Sequence, residues 1–365
     1  MNFWRGKRVF LTGHTGFKGA WLALWLNDLG AEVTGYSLPP PTDPSLFALA
    51  RVGERMTHIE GDVRDLDSLA AALRASRAEI VIHMAAQSLV RASYDDPVAT
   101  YAVNVMGTVN LLEAVRRVGG VRAAVCVTSD KCYENRETAT PCREGDAMGG
   151  YDPYSSSKGA AELVVSAWRR SFFNPATHRE HGVGLASVRA GNVIGGGDWA
   201  ADRLVPDMMR AFAAGRRPVI RFPGSIRPWQ HVLAPLAGYM AVAERLWSGD
   251  VTAADGWNFG PADDDAREVG FVADRLAALW GGGADWETTG EPQPHEATFL
   301  RLDCSKARSA LGWRPAWALE EGLRRTVEWY KARAGGADTR RLCLDQLMAY
   351  ASAIPKPATE PVHGS

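Results

Sequence analysis

The sequence carries almost no excess of either charge: 41 Lys and Arg stand against 42 Asp and Glu in 365 residues. That balance excludes a broad basic face for nucleic acid and a polybasic patch for membranes, and it favours a small-molecule partner. Cysteine is scarce. The five present, Cys126, Cys132, Cys142, Cys304 and Cys343, are odd in number and lack CxxC spacing, which argues against a disulfide framework and for reduced thiols. No apolar run approaches membrane-spanning length, and the opening MNFWRGKRVFLTG enters a strand pattern without a charged and then apolar leader. A soluble, cytoplasmic protein is expected. A metal ligand set is also lacking, since His178 and His181 in HREH have usable spacing but no third ligand.

What is present is a regular alternation. Strand-length apolar runs (RVFLTG, AEVTGYS, EIVIHMAA, AAVCVTS, GLASVRAGN) are followed by stretches such as AWLALWLNDLG and NVMGTVNLLEAVRRV with apolar residues at three-to-four spacing. Strand and helix in this order predict an α/β fold, a doubly wound parallel Rossmann sheet whose ligands lie at the carboxyl ends of the strands. The motif-bearing ends TGHTGFKG, HMAAQS and TSDK fall on that one edge. After Arg189 the composition shifts to Gly, Pro, Trp and Arg. The expected division is a dinucleotide-binding domain over 1–191 plus about 232–260, a smaller mixed α/β substrate-binding domain over 192–231 plus 261–355, and a frayed Pro-rich tail over 356–365.

Gly13, Gly16 and Gly19 follow a predicted strand and open a predicted helix, the context in which glycines let a backbone approach a pyrophosphate held at a helix N-terminus. The acid expected at the end of the second strand is absent: that strand ends GYSLPPP, with Glu32 at its start. Lys18 within the loop would suit a 2′-phosphate, yet no arginine follows the second strand, so NAD is expected over NADP. Asp62 is a candidate contact for the adenine or, equally, a helix N-cap.

Tyr154 and Lys158 in DPYSSSKGAAELVV are four apart on a helical pattern and share one face. A lysine beside the phenol, with a cationic nicotinamide nearby, would lower the phenol's pKa and make it a usable base and acid. Between this helix and the glycine loop, VTSDKCYEN ends an apolar strand in a hydroxyl, a carboxylate, an ammonium and a phenol. A strand that only needed to turn would end in Gly, Asn or Pro.

Together TGHTGFKG, YSSSK, RAGNVIGGGDW and LGWRPAWALEEGL resemble the extended short-chain dehydrogenase/reductase family over nearly the whole chain. Within it the sequence is most similar to the sugar-nucleotide 4,6-dehydratases, through GYSLPPPTDPSLF, TSDKCYEN and RPWQHVLAPL. The resemblance implies tightly bound NAD and CDP-glucose or a related nucleotide sugar as substrate. The sugar would be oxidised at C4, lose water across C5 and C6, and regain the hydride at C6. It implies cofactor contacts at Gly13, His14, Thr15, Gly16, Phe17, Lys18, Gly19, Asp62, Val63, Ala85, Gln87, Asn104, Tyr154 and Lys158. Of the catalytic group, Tyr154 and Lys158 serve the oxidation, Ser129 binds the C4 oxygen, and Asp130 protonates the departing hydroxyl. Related dehydratases carry a glutamate base at the next position, where this chain has Lys131. A lysine removes a proton only when neutral, so it is either depressed by burial and neighbouring charge or it stabilises an enolate while another group acts.

On the substrate side the resemblance points to Asn192, Arg203 and Leu204, the last two opening a helix toward a diphosphate. Arg221 and Arg227 in VIRFPGSIRPWQH offer planar guanidinium groups for paired phosphates. His295 is a further candidate, and a tryptophan would stack a pyrimidine. A C4 epimerase or a GDP-mannose-type dehydratase shares the glycine loop and the Tyr–Lys pair, although an epimerase has no use for Asp130. A non-catalytic NAD-binding module is the remaining alternative. Apolar residues on more than one face of the helices after NVMGTVNLL and YSSSK suggest a homodimer.

Overall fold

Seven short strands pair side by side in one sheet, and the central ones alternate their side chains between two cores. They are β1 (Arg8–Thr12), β2 (Glu32–Ser37), β3 (Thr57–Glu60), β4 (Ile80–His83), β5 (Ala123–Val127), β6 (Gly184–Ala190) and β7 (Gly256–Phe259), all parallel, in the order 3-2-1-4-5-6-7. The computed structural model describes residues 3–135, 140–262, 265–288 and 300–355. Val9, Leu11, Ile80, Ile82, Ala123 and Val125 enter one core, and Phe10, Val81, Ala124 and Cys126 the other. Period-two alternation with both faces apolar is what a sheet covered on both sides requires.

The covering helices are α1 (Phe17–Asp28), α2 (Leu66–Ser76), α3 (Gly107–Val118), α4 (Pro153–Ser171), α5 (Leu204–Ala213), α6 (Leu233–Trp247), α7 (Val269–Trp280), α8 (Leu319–Ala334) and α9 (Thr339–Ala353). In α1 every residue from Gly19 to Leu26 is buried. Such a helix cannot present a polar face. Its outer side is covered by α9, where Trp25 meets Tyr350 edge-on at 5.9 Å.

Strand order reverses at β1, between β4 and β2, which opens the crevice where doubly wound folds place ligands. Three small two-stranded pairings stand apart from the main sheet: Val193–Ile194 with Gln230–His231, Ile226–Pro228 with Ala266–Glu268 (antiparallel), and Val219–Ile220 with Glu287–Thr288. The sequence reading expected no run of spanning length. The structure corrects that: Pro97–Val118 forms a continuous helical stretch long and apolar enough to cross a membrane by length and composition, but half of it is buried in the fold.

Candidate active site

β1 delivers the chain to Gly13, which turns with φ +76°, a conformation that disfavours a side chain. A Cβ there would lie 2.6 Å from the Ala85 nitrogen on the turn after β4, and one on Gly19 would collide with the Gly13 carbonyl. No side chain caps α1, and its first turn holds no acid. Its N-terminal N–H groups and dipole are thus directed at a cradle without side chains, which suits a dinucleotide pyrophosphate. The residues fit the cofactor the family resemblance implies.

Around this cradle, Thr12 Oγ1 accepts from the backbone N–H of Met84 and Ala85 and pairs with His83 Nδ1 at 2.7 Å. Burial pushes the His83 pKa down to about 3, so the ring is neutral. Thr15 meets Ser37 at the end of β2 (2.8 Å), where an acid was sought. His14 is buried against His58, Nε2 to Nδ1 2.7 Å, and burial with the His58 charge brings its pKa down to about 4. Its Nδ1 has no partner. Lys18 turns to α6, where it donates to the Tyr239 hydroxyl at 2.6 Å. There burial, with Lys158 nearby, lowers its pKa to about 7. Asp62 is not the cap of α2, a role taken by Asp65, and its carboxylate is held by the Arg64 side chain and N–H. Val63 packs against Gly107. A π-helical turn at Ala102–Met106 carries Asn104, which accepts from the Gln87 N–H and donates to the Gln87 carbonyl and to Ser157 Oγ. Single π-turns of this kind recur at functional sites.

β5 ends at Val127 and the chain tightens into a 3-10 turn over Asp130–Cys132. Ser129 caps it by accepting from the Lys131 N–H at 3.2 Å while its hydroxyl donates to Asp130 Oδ1 at 3.1 Å. Asp130 is 3% exposed, and its Oδ2 has no hydrogen-bond partner. Burial pushes this carboxyl above the ordinary range, against the pull of Lys131 and Arg227. Tyr154, on the first turn of α4, is buried close to the same turn, where the Ser129 hydroxyl favours the ionised phenol. The expectation of a depressed phenol is corrected in the chain alone, because burial dominates and carries Tyr154 up to about 12. Lys158 does not donate to the phenol; its Nζ lies 3.4 Å from the Val127 carbonyl, and burial lowers its pKa to about 8.

Of the substrate-side candidates, Arg227 is buried and acts on Asp130. Arg203 precedes α5 at its N-cap position without a side-chain cap, bonds Asp198 and Ser88, and bears on Tyr154. Arg221 is held with Arg91 on Asp202 Oδ1, at 3.0 and 2.8 Å. Asn192 follows β6 and its carbonyl accepts from Gln230 N–H. His295 lies outside the described residues. Sequence reasoning missed Glu162 and Arg189, which form a buried ion pair beside the Ser129–Cys132 turn. The signals were legible: Glu162 stands four residues past Lys158 on the same helical face, and Arg189 is a charge inside the apolar run GLASVRA.

A glycine cradle, a Tyr–Lys helix and a buried acid turn on one sheet edge define a dinucleotide-dependent acid–base enzyme of the Rossmann class. A sequence profile of the GDP-mannose 4,6 dehydratase family matches residues 10–258. The CDP-glucose 4,6-dehydratase of Salmonella typhimurium is 57% identical over 97% of this chain and 99% of that protein. The UDP-glucose 4-epimerase of Mycolicibacterium smegmatis is 27% identical over 90% and 99%. In fold, the crystal structure of the dTDP-glucose 4,6-dehydratase of Bacillus anthracis in complex with NAD superimposes with a TM-score of 0.73, at 19% identity, covering 89% of this chain and 97% of that one. The chain belongs to this GDP-mannose 4,6 dehydratase family, among the extended short-chain dehydrogenases/reductases.

Proposed function

We propose that this protein is an NAD-dependent hydro-lyase that converts CDP-D-glucose to CDP-4-dehydro-6-deoxy-D-glucose, an entry to deoxysugars of cell-surface polysaccharide. The identity of 57% over nearly the full length with a CDP-glucose 4,6-dehydratase supports the substrate. The single observation that carries dehydration over epimerisation is Asp130: a buried carboxyl with an unpartnered Oδ2, pushed toward its neutral form, beside Ser129 and Tyr154.

Held by the glycine cradle, NAD would supply the hydride chemistry, acceptance from C4 of the hexose and return to C6. Tyr154 accepts the C4 hydroxyl proton; the neighbouring Ser129 hydroxyl and the Arg203 charge oppose the burial that keeps the phenol protonated, and Lys158, one turn on along the same helix, serves the same oxidation. Ser129 also holds the C4 oxygen. The resulting ketone acidifies C5–H, and Asp130 delivers its proton to the C6 hydroxyl as water leaves. Lys131, adjacent to that acid, takes the C5 proton and returns it to C5 as the hydride reaches C6, or stabilises the enolate while another group carries that proton. Gly13 to Gly19 with Ala85, Gln87, Asn104 and Lys158 hold the cofactor; Asn192, Arg203, Leu204, Arg221 and Arg227, in a lobe of 192–231 and 261–355, hold the nucleotide sugar.

Five unpaired cysteines, four of them buried, support a reducing cytoplasm. Exposed Val98, Met106 and Leu163 support a homodimer through the helical stretch 97–118 and α4. The test is incubation with CDP-, GDP-, UDP- and dTDP-hexoses and detection of a 4-keto-6-deoxy product. Turnover of CDP-glucose in preference to the others is expected, and its failure with active, NAD-loaded protein rejects the reading.

A further inference from the structure

Glu162 is 4% exposed, one helical turn beyond Lys158. Its carboxylate accepts from Thr128 Oγ1 (2.5 Å), Ser187 Oγ (2.7 Å), and Arg189 Nε and Nη2 (2.8 Å each). Arg189 uses Nη1 to donate to the Tyr133 hydroxyl at 2.6 Å, and that hydroxyl donates to Asn258 Oδ1 on β7 at 2.7 Å. Thr128 immediately precedes Ser129, and Tyr133 follows the 3-10 turn. The ion pair therefore grips the acid turn at both ends, while Glu162 itself rides on the helix that bears Tyr154 and Lys158.

Burial opposes ionisation of both partners, yet their mutual hydrogen bonds hold Glu162 below and Arg189 above the ordinary values. Such a pair is a poor stability device, because apolar side chains of similar volume serve as well or better. What it supplies is one fixed spacing between α4 and the turn. The reaction needs that spacing, since a phenol, a hydroxyl and a carboxylic acid act on adjacent carbons of one sugar ring, and reacting groups tolerate displacements of only about 0.5 Å.

We propose that Glu162 and Arg189 are positioning residues that lock the Ser129–Asp130–Lys131 turn to the Tyr154–Lys158 helix, an inference that rests on the dehydratase reading above. Three variants test it with NAD and CDP-glucose: Thr128→Val, Glu162→Gln, and Glu162→Met combined with Arg189→Met. Glu162→Gln leaves a buried guanidinium without its counter-charge; it is expected to lower the thermal midpoint and to lower kcat about 100-fold with KM within about threefold of wild type. The double Met variant is expected to regain the midpoint but not kcat. Thr128→Val, which removes the link from the carboxylate to the turn together with a longer contact from the same hydroxyl to the Val188 carbonyl (3.4 Å), is expected to cost about tenfold in kcat with little change in midpoint. Recovery of kcat together with midpoint in the double variant, or wild-type kcat in Thr128→Val, overturns the proposal. Thr128→Val decides alone where the charge variants fail to fold. The wild-type control separates the two readings: no turnover there rejects the dehydratase assignment, whereas turnover equal in wild type and variants rejects only the positioning role.

Discussion

At the scale of single residues, the proposed chemistry draws on a carboxyl that burial pushes toward its neutral form and an amine whose hold on its proton burial weakens. Asp130→Asn preserves shape and removes the transferable proton. It is expected to lower product formation by about 10²- to 10⁴-fold while CDP-glucose still reduces the bound nicotinamide, which the near-ultraviolet absorbance of the reduced ring reports. Loss of that reduction as well would place Asp130 in the oxidation instead. The pH dependence follows from signs. The roles proposed for Asp130 and Lys158 require protonated groups and that of Tyr154 a proton acceptor, so the alkaline limb, where activity falls as pH rises, is set by the first two and lies no higher than the Lys158 value of about 8. Activity still climbing above that pH in a kcat profile contradicts the roles. Stability runs the other way: folded Lys158 binds its proton less tightly than an ordinary lysine at 10.5. Between about 8 and 10.5 the unfolded chain therefore holds more protons, and the Lys158 contribution to stability rises with pH.

At the scale of elements, the position of the phenol is decided by how α4 begins. Asp152 accepts from the Ser155 N–H (2.9 Å) and from the Ser155 hydroxyl (2.6 Å), with Pro153 preset at the first helical position. Asp152→Ala is expected to cost about 1 kcal/mol of stability by chemical denaturation and, because Tyr154 is two residues on, to lower kcat more than it raises KM. Equal changes in both would show that the cap serves the helix only. Element-level reading from sequence succeeded for the alternating strands, whose period is local. It did not set α1 apart from its neighbours, since its apolar residues show the same three-to-four spacing, yet this helix is buried from Gly19 to Leu26 under α9. Removing the large ring by Trp25→Ala is expected to cost about 3–5 kcal/mol, a loss that thermal unfolding would register; a change under about 1 kcal/mol would mean that α9 contributes little to this core.

At the scale of the whole molecule, the stretch 97–118 has two duties. Its inner side carries Asn104, which fixes the Gln87 turn, while Val98 at 78% and Met106 at 51% exposure are left outside near Leu163 of α4 at 61%. Apolar side chains this exposed are the basis of the proposed homodimer. Met106→Glu combined with Leu163→Glu is expected to convert a dimer into monomers in light scattering after gel filtration, with the far-ultraviolet circular dichroism unchanged. A wild-type protein that is already monomeric contradicts the dimer.

The sequence by itself determined the sheet, the glycine cradle, the Tyr–Lys face and the acid turn, because each is set by short-range periodicity or by residues a few positions apart. Tertiary structure alone decided which charges survive burial and where they point. It turned Lys18 toward Tyr239, gave Asp62 to Arg64, left Asp130 without a partner for Oδ2, and joined Glu162 to Arg189 across 27 positions. Desolvation and long-range hydrogen bonding depend on what surrounds a group in space, and no local pattern along the chain encodes that.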